Sequence, residues 1–587
     1  HLRHRGQAFV PHSMKKKRKK KRKEGSLVRK KFIPALILSL ALLCSACGTP
    51  ANTPGSSSAG SSSAEDINLT ADCRNGHFVG QLEDTGVLSF KGIPYAKAPV
   101  GELRWKAPQA PDDSDETFAA DQFGKSSIQY EWPSERASYN EIGEDCLTLN
   151  VWTKDLSTTG KPVMVFFHGG GFAWGGTADP LYDGQFFVEE NEDIVMVTAN
   201  YRIGFMGFID LSKVEGGEDY EDSTCLGLLD HIQALKWVQE NIEAFGGDPN
   251  NVTIFGESAG GGTTSLLCVV EEAQGLFQKC ISESGGLALT YSQEEYDEMG
   301  LTEALMEVSG AKNMADLIAI PEEQLIEYYL MPLDDEGTCM NDLYGMPLRG
   351  RSVVPEDPYQ AAADGVGKDI VYMAGSNANE WNYWIAEVAF GMVEDPNNIS
   401  AEEMAAAIPI YEELAIIDPK MDMARTRATA EQNALIDQFL AEQTDKDELK
   451  AKVEFCNDIV FRVPALAQAA RHSDAGGKSY IYYFAKESTD PEMGACHASE
   501  LAYIFHNEAD GGFSGTVDTA LADKLCTAWA NFARTGDPSI EGAEWTPYDS
   551  ETRATMVIGN DSSMRMENDW LGAQRTLIEP LLDLYVK

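Results

Sequence analysis

From Val87 onward, short apolar runs alternate with longer stretches in which apolar residues recur every three or four positions. A short run without polar interruption suits a strand buried on both faces, and the longer spacing suits helices that cover such strands. Strands are expected at 161–167, 194–199, 252–255, 280–286 with its exit turn, 369–374 and, last, 479–484. Residues 226–242 have the apolar spacing of a helix and are closed by Phe245-Gly246-Gly247-Asp248-Pro249. The alternation predicts an α/β chain with a large, mostly parallel sheet flanked by helices. The segment 290–365 is helical in pattern, acidic and rich in methionine, which suits a cap over the sheet; helices and loops are expected to fill the chain beyond 484. There is no internal repeat.

One strand runs into Gly256-Glu257-Ser258-Ala259-Gly260, and a helix can start directly behind it. This is the pattern of a nucleophile elbow, in which flanking glycines let strand and helix approach closely while a serine is forced out at the turn. The new helix directs backbone N–H groups, including that of Ala259, towards negative charge developing on a bound substrate. The pentapeptide alone is weak, since 52 glycines in 587 residues give about 0.3 chance matches. Its surroundings strengthen it. The strand at 161–167 ends in His168-Gly169-Gly170-Gly171-Phe172, a glycine triplet that leaves further N–H groups bare, where a purely structural reading would be a tight loop.

Behind such an elbow the chain order is serine, acid, histidine, with acid and base on loops after later strands. Six histidines lie beyond the leader, and three of them, His77, His168 and His231, precede the serine. Of the others, His472 and His506 fall in helical patterns, whereas His497 lies on the irregular stretch after the strand at 479–484 and is the expected base. The first carboxylate on the loop after 369–374 is Glu380, the expected acid; taken alone it would read as a solvated surface glutamate.

Composition changes the picture mainly through charge. Hydrophobic content is an ordinary 43%, but the net charge is −46. Residues 1–46 hold 14 of the 47 Lys/Arg and one of the 93 acidic residues, leaving 33 basic against 92 acidic, or −59, on the rest. Such a body repels nucleic acid and anionic lipid heads, and serves solubility. Residues 1–13 read as upstream sequence and 14–46 as a secretory leader: Met14, a Lys/Arg run to Lys23, and the apolar run 32–43, too short to span a bilayer. The leader reaches Cys44-Ser45-Ala46-Cys47, which resembles a lipoprotein cleavage site with Cys47 as the lipidated residue, although Cys44 replaces the usual aliphatic position and simple cleavage at a small residue is the alternative. Residues 47–65, rich in Gly and Ser, suit a tether, and 66–587 form the folded domain. An extracytoplasmic location follows, on the cell surface through Cys47 or secreted. Nine cysteines beyond Cys47 are scattered without a disulfide-scaffold or zinc spacing.

The stretches 143–151, 168–172, 200–202, 245–249, 256–260, 375–380 and 494–500 together resemble type B carboxylesterases of the α/β-hydrolase superfamily, relatives of cholinesterases and bacterial para-nitrobenzyl esterases, over roughly residues 66–580. The resemblance implies a serine hydrolase of carboxylic esters with Ser258, Glu380 and His497 as catalytic residues and the N–H groups of Gly170, Gly171 and Ala259 as the oxyanion hole, with Ser284 near the acid and no metal or cofactor. It also implies a small-molecule ester as substrate; oligomeric state is not legible. Animal members pair the cysteine matching Cys146 with one shortly upstream; here no cysteine lies between Cys73 and Cys146, so that bridge is absent or made with Cys73. Alternatives on the same fold are an adhesion or binding protein lacking catalysis, or a hydrolase of amides, lactones or carbamates. Phe172, Trp174, Trp381, Tyr383 and Trp384 flank the oxyanion and acid loops and are expected to line an aromatic gorge.

Overall fold

The computed structural model describes residues 67–129, 140–329, 331, 340, 343, 345–384, 424–489, 493–507, 512–582 and 584. The leader, Cys47 and the Gly/Ser stretch lie outside the described residues.

Eleven strands form the main sheet: β1 (Gln81–Leu82), β2 (Leu88–Pro94), β3 (Thr148–Thr153), β4 (Lys161–Phe167), β5 (Val195–Ala199), β6 (Gly247–Glu257), β7 (Lys279–Glu283), β8 (Val371–Asn377), β9 (Ser479–Phe484), β10 (Ala554–Ile558) and β11 (Met564–Asn568). Their order across the sheet is β11-β10-β9-β8-β7-β6-β4-β5-β3-β2-β1. The seven strands from β10 to β5 are mutually parallel, and the edge pairs are antiparallel. The parallel strands therefore all end at the same edge, where loops can converge on one site.

Strand alternation builds two cores. In β4, Val163, Val165 and Phe167 face one layer with Val195 and Val197 of β5 and Ile254 of β6; there they meet Leu228, Ile232 and Leu235 of α1 (Leu226–Asn241). Met164, Phe166, Met196 and Phe255 face the other layer, against Leu521, Leu525, Trp529 and Phe532 of the helix Thr519–Thr535. Period-two side-chain alternation explains why strands apolar at every position are needed here. Residues 293–328 form four short helices, Gln293–Met299, Leu301–Ser309, Met314–Ile318 and Glu322–Tyr328, which share a separate core with Phe205, Ile209 and Leu211 and contribute no strand to the main sheet, as their pattern predicts.

The expectation that the sheet ends at 479–484 is incorrect. Ala554–Ile558 and Met564–Asn568 extend it by two strands. The first, Ala-Thr-Met-Val-Ile, is a buried apolar stretch as short as β5 that went unread, and the second is a half-exposed edge carrying Arg565 and Glu567. β3 is hidden for another reason: Thr148, Asn150 and Thr153 are buried polar residues, and Asn150 Nδ2 donates to the hydroxyls of Thr177 and Thr198 at 3.0 Å. β6 also begins earlier than expected, at Gly247, with a register shift against β4 before Val252. Cys73 and Cys146 are free thiols, so the bridge between them is not made.

Candidate active site

At the end of β6 the chain turns at Ser258 with φ 57° and ψ −119°, a conformation that costs a non-glycine residue on the order of 1–3 kcal/mol and marks a functional constraint. α2 (Ala259–Leu267) starts at once. The glycines are required by space: a Cβ on Gly256 would sit 2.7 Å from Gly260 and from the Phe167 carbonyl, and one on Gly260 would land on that carbonyl. The Ser258 N–H donates to the Glu283 carbonyl at 2.9 Å, fixing the turn to the end of β7.

Glu380 and His497, the expected acid and base, lie on the loops after β8 and β9. Glu380 Oε2 lies 2.6 Å from His497 Nδ1, and Glu380 Oε1 accepts hydrogen bonds from the Asn377 N–H and the Ser284 hydroxyl, each at 2.7 Å. The two loops are also tied through their backbones: Asn379 N–H donates to Ala495 O at 2.9 Å, and Ala495 N–H donates to Asn379 Oδ1 at 3.0 Å. Glu380 is fully buried, so it is not the solvated surface glutamate of the bland reading. His497 Nε2 makes no hydrogen bond among the described residues. It lies 3.1 Å from Glu257 Oε1, but neither atom has the alignment of a hydrogen bond. The Ser258 hydroxyl makes none to the ring either; catalytic hydrogen bonds commonly tighten only around bound substrate.

The glycine loop lies against the elbow, where a Cβ on Gly169 would meet the Ser258 Cβ at 3.0 Å. Gly170 and Gly171 take positive φ of 92° and 60°. The N–H groups of Gly170, Gly171 and Ala259 donate to no protein group among the described residues, which suits donors kept for a ligand. His472 and His506 are engaged elsewhere, with Ser479 Oγ and Asp523 Oδ1, each at 2.8 Å. His506 follows the short helix Leu501–Ile504 rather than lying in it.

Three acidic residues around this geometry escape the sequence reading. Glu257 and Glu500 are buried near Glu380, and Glu283 is buried near Glu257 and Glu500; among the described residues, His497 is the basic side chain paired to Glu257 and Glu380. Burial pushes the Glu257 carboxyl up to about 8 despite the nearby imidazole, and burial with the charge of Glu380 pushes Glu500 up to about 7. Burial also holds Glu283, whose Oε1 accepts from the Trp529 indole at 2.6 Å, well above the carboxylate range. For His497, burial opposes the charged form, but Glu257 and Glu380 outweigh it and raise the ring to about 9. Glu257 sits inside the elbow pentapeptide and Glu500 three residues after His497, so proximity to Ser258 and His497 was the available signal.

The aromatic gorge needs correction. Phe172 is buried against Phe208, with ring centroids 5.0 Å apart, and Trp381 is buried under Trp384 at 4.5 Å; only Trp174, Tyr383 and Trp384 are partly exposed. A ring missed in the sequence, Phe461, lies 4.8 Å from the His497 ring, with Trp384 at 5.0 Å and Tyr383 at 5.8 Å. Phe461 belongs to the π-helical turn Asp458–Arg462, a wide turn of the kind often found at functional sites.

Residues 68–574 match the Carboxylesterase family. The para-nitrobenzyl esterase of Bacillus subtilis is 33% identical over 518 residues, covering 85% of this chain and 96% of that protein, and the liver carboxylesterase of Sus scrofa is 29% identical over 587 residues, covering 92% and 95%. Among solved structures, a Geobacillus stearothermophilus carboxylesterase superposes with a TM-score of 0.70 at 31% identity, covering 87% of this chain and all of the other. A thermophilic para-nitrobenzyl esterase gives 0.68 at 30%, covering 87% and 99%. The fold is therefore that of the α/β-hydrolase carboxylesterases. The chain belongs to the carboxylesterase family and is a serine-type enzyme that hydrolyses carboxylic esters.

Proposed function

We propose that Ser258 is the nucleophile, with His497 as general base and then acid, and Glu380 as the carboxylate that orients the imidazole. His497 takes the Oγ proton as Oγ attacks the ester carbonyl, and the N–H groups of Gly170, Gly171 and Ala259 receive the negative charge that moves onto the carbonyl oxygen. The tetrahedral intermediate collapses, the alcohol leaves with the proton from His497, and water activated by the same ring releases the acid. The main support is the 2.6 Å contact from Glu380 to His497 Nδ1, with Nε2, which makes no hydrogen bond among the described residues, beside the elbow. Ser258→Ala is expected to abolish ester hydrolysis and labelling by a fluorophosphonate, with losses on the order of 10⁶ in kcat when such a serine is removed. Labelling retained in the variant would refute the assignment.

The substrate in this reading is a small neutral or cationic ester with a compact acyl group or an aromatic part, suited to the partly exposed rings of Trp174, Tyr383 and Trp384. The leader sequence supports acylation of Cys47 and attachment at an outer cell surface by that lipid alone. Cys47→Ala should move the protein from the membrane fraction to the medium; an unchanged distribution would refute the anchor.

A further inference from the structure

The glycine loop leaves β4 at His168 and returns at Thr177, and its two ends are pinned by side chains from other segments. At the entry, the Tyr201 hydroxyl donates to the His168 carbonyl at 3.0 Å and the two rings lie 4.5 Å apart. At the exit, Gln129 Oε1 accepts from the Gly175 N–H at 2.8 Å, while its Nε2 donates to the Gly175 carbonyl at 2.9 Å and to the Ser127 carbonyl at 3.0 Å. Beyond it, Asn200 Oδ1 accepts from the Thr177 N–H at 2.9 Å and Nδ2 donates to the Lys125 carbonyl at 3.1 Å. Gln129 and Asn200 are each only 1% exposed.

Between these pins the loop is also held at Phe172, whose carbonyl accepts from the Gly204 N–H at 2.6 Å and whose ring is buried against Phe208. Gly170, Gly171, Phe172 and Gly175 all have positive φ, so the backbone cannot join the sheet ladder. Its internal backbone-to-backbone bonds converge on one atom: the Gly170 carbonyl accepts from Ala173 N–H at 2.9 Å and from Trp174 N–H at 3.0 Å. The peptide that carries the Gly171 N–H is therefore tied to Trp174, and Trp174 is bonded covalently to Gly175. Any displacement of Gly175 passes through Trp174 to the plane of that peptide. The carboxamide of Gln129 supplies to Gly175 both the acceptor and the donor that a neighbouring strand would supply, and its own two N–H groups and its oxygen are all used. A side chain without a donor and an acceptor at this length cannot replace it.

We infer that Gln129 is a positioning residue for catalysis, which sets the Gly170 and Gly171 N–H groups by clamping Gly175; the inference rests on the assignment of those groups as oxyanion donors. Oxyanion stabilisation is steep in geometry, since loss of one donor costs on the order of 10²–10³ in kcat. Misplacing two donors without removing them is expected to cost about 10–100-fold.

The test compares an ester with its thionoester, in which sulfur, a poor hydrogen-bond acceptor, replaces the carbonyl oxygen. The unsubstituted enzyme is expected to turn over the ester much faster. Gln129→Met, of equal length but without hydrogen bonds, should lower kcat for the ester about 10–100-fold with little change in KM, while the thionoester rate moves far less, so that the ester-to-thionoester ratio collapses. Gln129→Asn, which keeps the carboxamide one carbon short, should lower the ratio to an intermediate value and serves if Gln129→Met does not fold. An equal fall for both substrates, or an unchanged ratio in both variants, would overturn the inference. Equal rates for the two substrates in the unsubstituted enzyme would instead overturn the oxyanion assignment beneath it.

Discussion

A carboxylate that only orients a histidine leaves a particular kinetic trace. Glu380→Gln keeps the shape of the acid but presents an amide to Nδ1, so kcat should fall by about 10⁴ with KM little changed, checked by steady-state kinetics on a nitrophenyl ester. The surrounding glutamates affect pH dependence more than binding. With His497 raised to about 9 by Glu257 and Glu380 against the effect of burial, the neutral base form accumulates only in alkali, and kcat/KM should climb between pH 7 and 9. Glu257→Gln removes one of these charges and should move the acid limb of the profile downward; a limb that stays in place would assign it to another group. Stability follows the same sign. Glu257 and Glu500 have folded values above their ordinary one near 4.5, so the stability they contribute is complete below that and is lost as pH rises through about 7 for Glu500 and about 8 for Glu257. The Tm of Ser258→Ala should fall over this window, and adding Glu257→Gln should flatten the fall.

The elbow and the central strands could be read from the sequence because each is written in consecutive residues. Mostly apolar runs marked β4, β5 and β9, and Gly256 and Gly260 announced the crossing of β6 and α2. That crossing gives a sharp test: Gly260→Ala would drive its methyl group into the Phe167 carbonyl, at the site where β4 meets the elbow. Overpacking of a rigid site costs typically 1–3 kcal/mol or more, so a clear drop in Tm is expected together with lost activity. What could not be read lay between distant segments. β3 hides its burial behind Thr148, Asn150 and Thr153, and β11 is an exposed edge. The clamp of Gln129 on Gly175 joins residues 46 positions apart. The burial of Phe172 and Trp381 likewise depended on which neighbours, Phe208 and Trp384, the fold would bring.

For the molecule as a whole, charge acts at longer range. Beyond the leader the formal charge is −59, with no compensating basic cluster in the site among the described residues, so anionic esters are expected to approach against a repulsive field and cations to be drawn in. For matched acetate esters at low salt, kcat/KM should rank cationic above neutral above carboxylate-bearing. The ranking should compress towards 1 M salt, where the Debye length is about 3 Å. Equal rates at low salt would show that the field does not reach the substrate. Chain order pointed to Ser258, Glu380 and His497, which the structure carries on loops at one edge of the sheet because the parallel strands all end there, a property of the whole sheet that no single segment contains.

The left-handed turn at Ser258 has a consequence for how this protein can change. Glycine adopts such a backbone freely, so Ser258→Gly should have a higher Tm than Ser258→Ala, and than the active enzyme, by relief of about 1–3 kcal/mol. A Tm for Ser258→Gly at or below that of Ser258→Ala would show that the turn holds no strain. If the strain is present, the most durable version of this sequence is a dead one. Any laboratory selection that rewards heat resistance alone would then drift towards losing the serine, and breeding a hardier catalyst requires screening for turnover in every round.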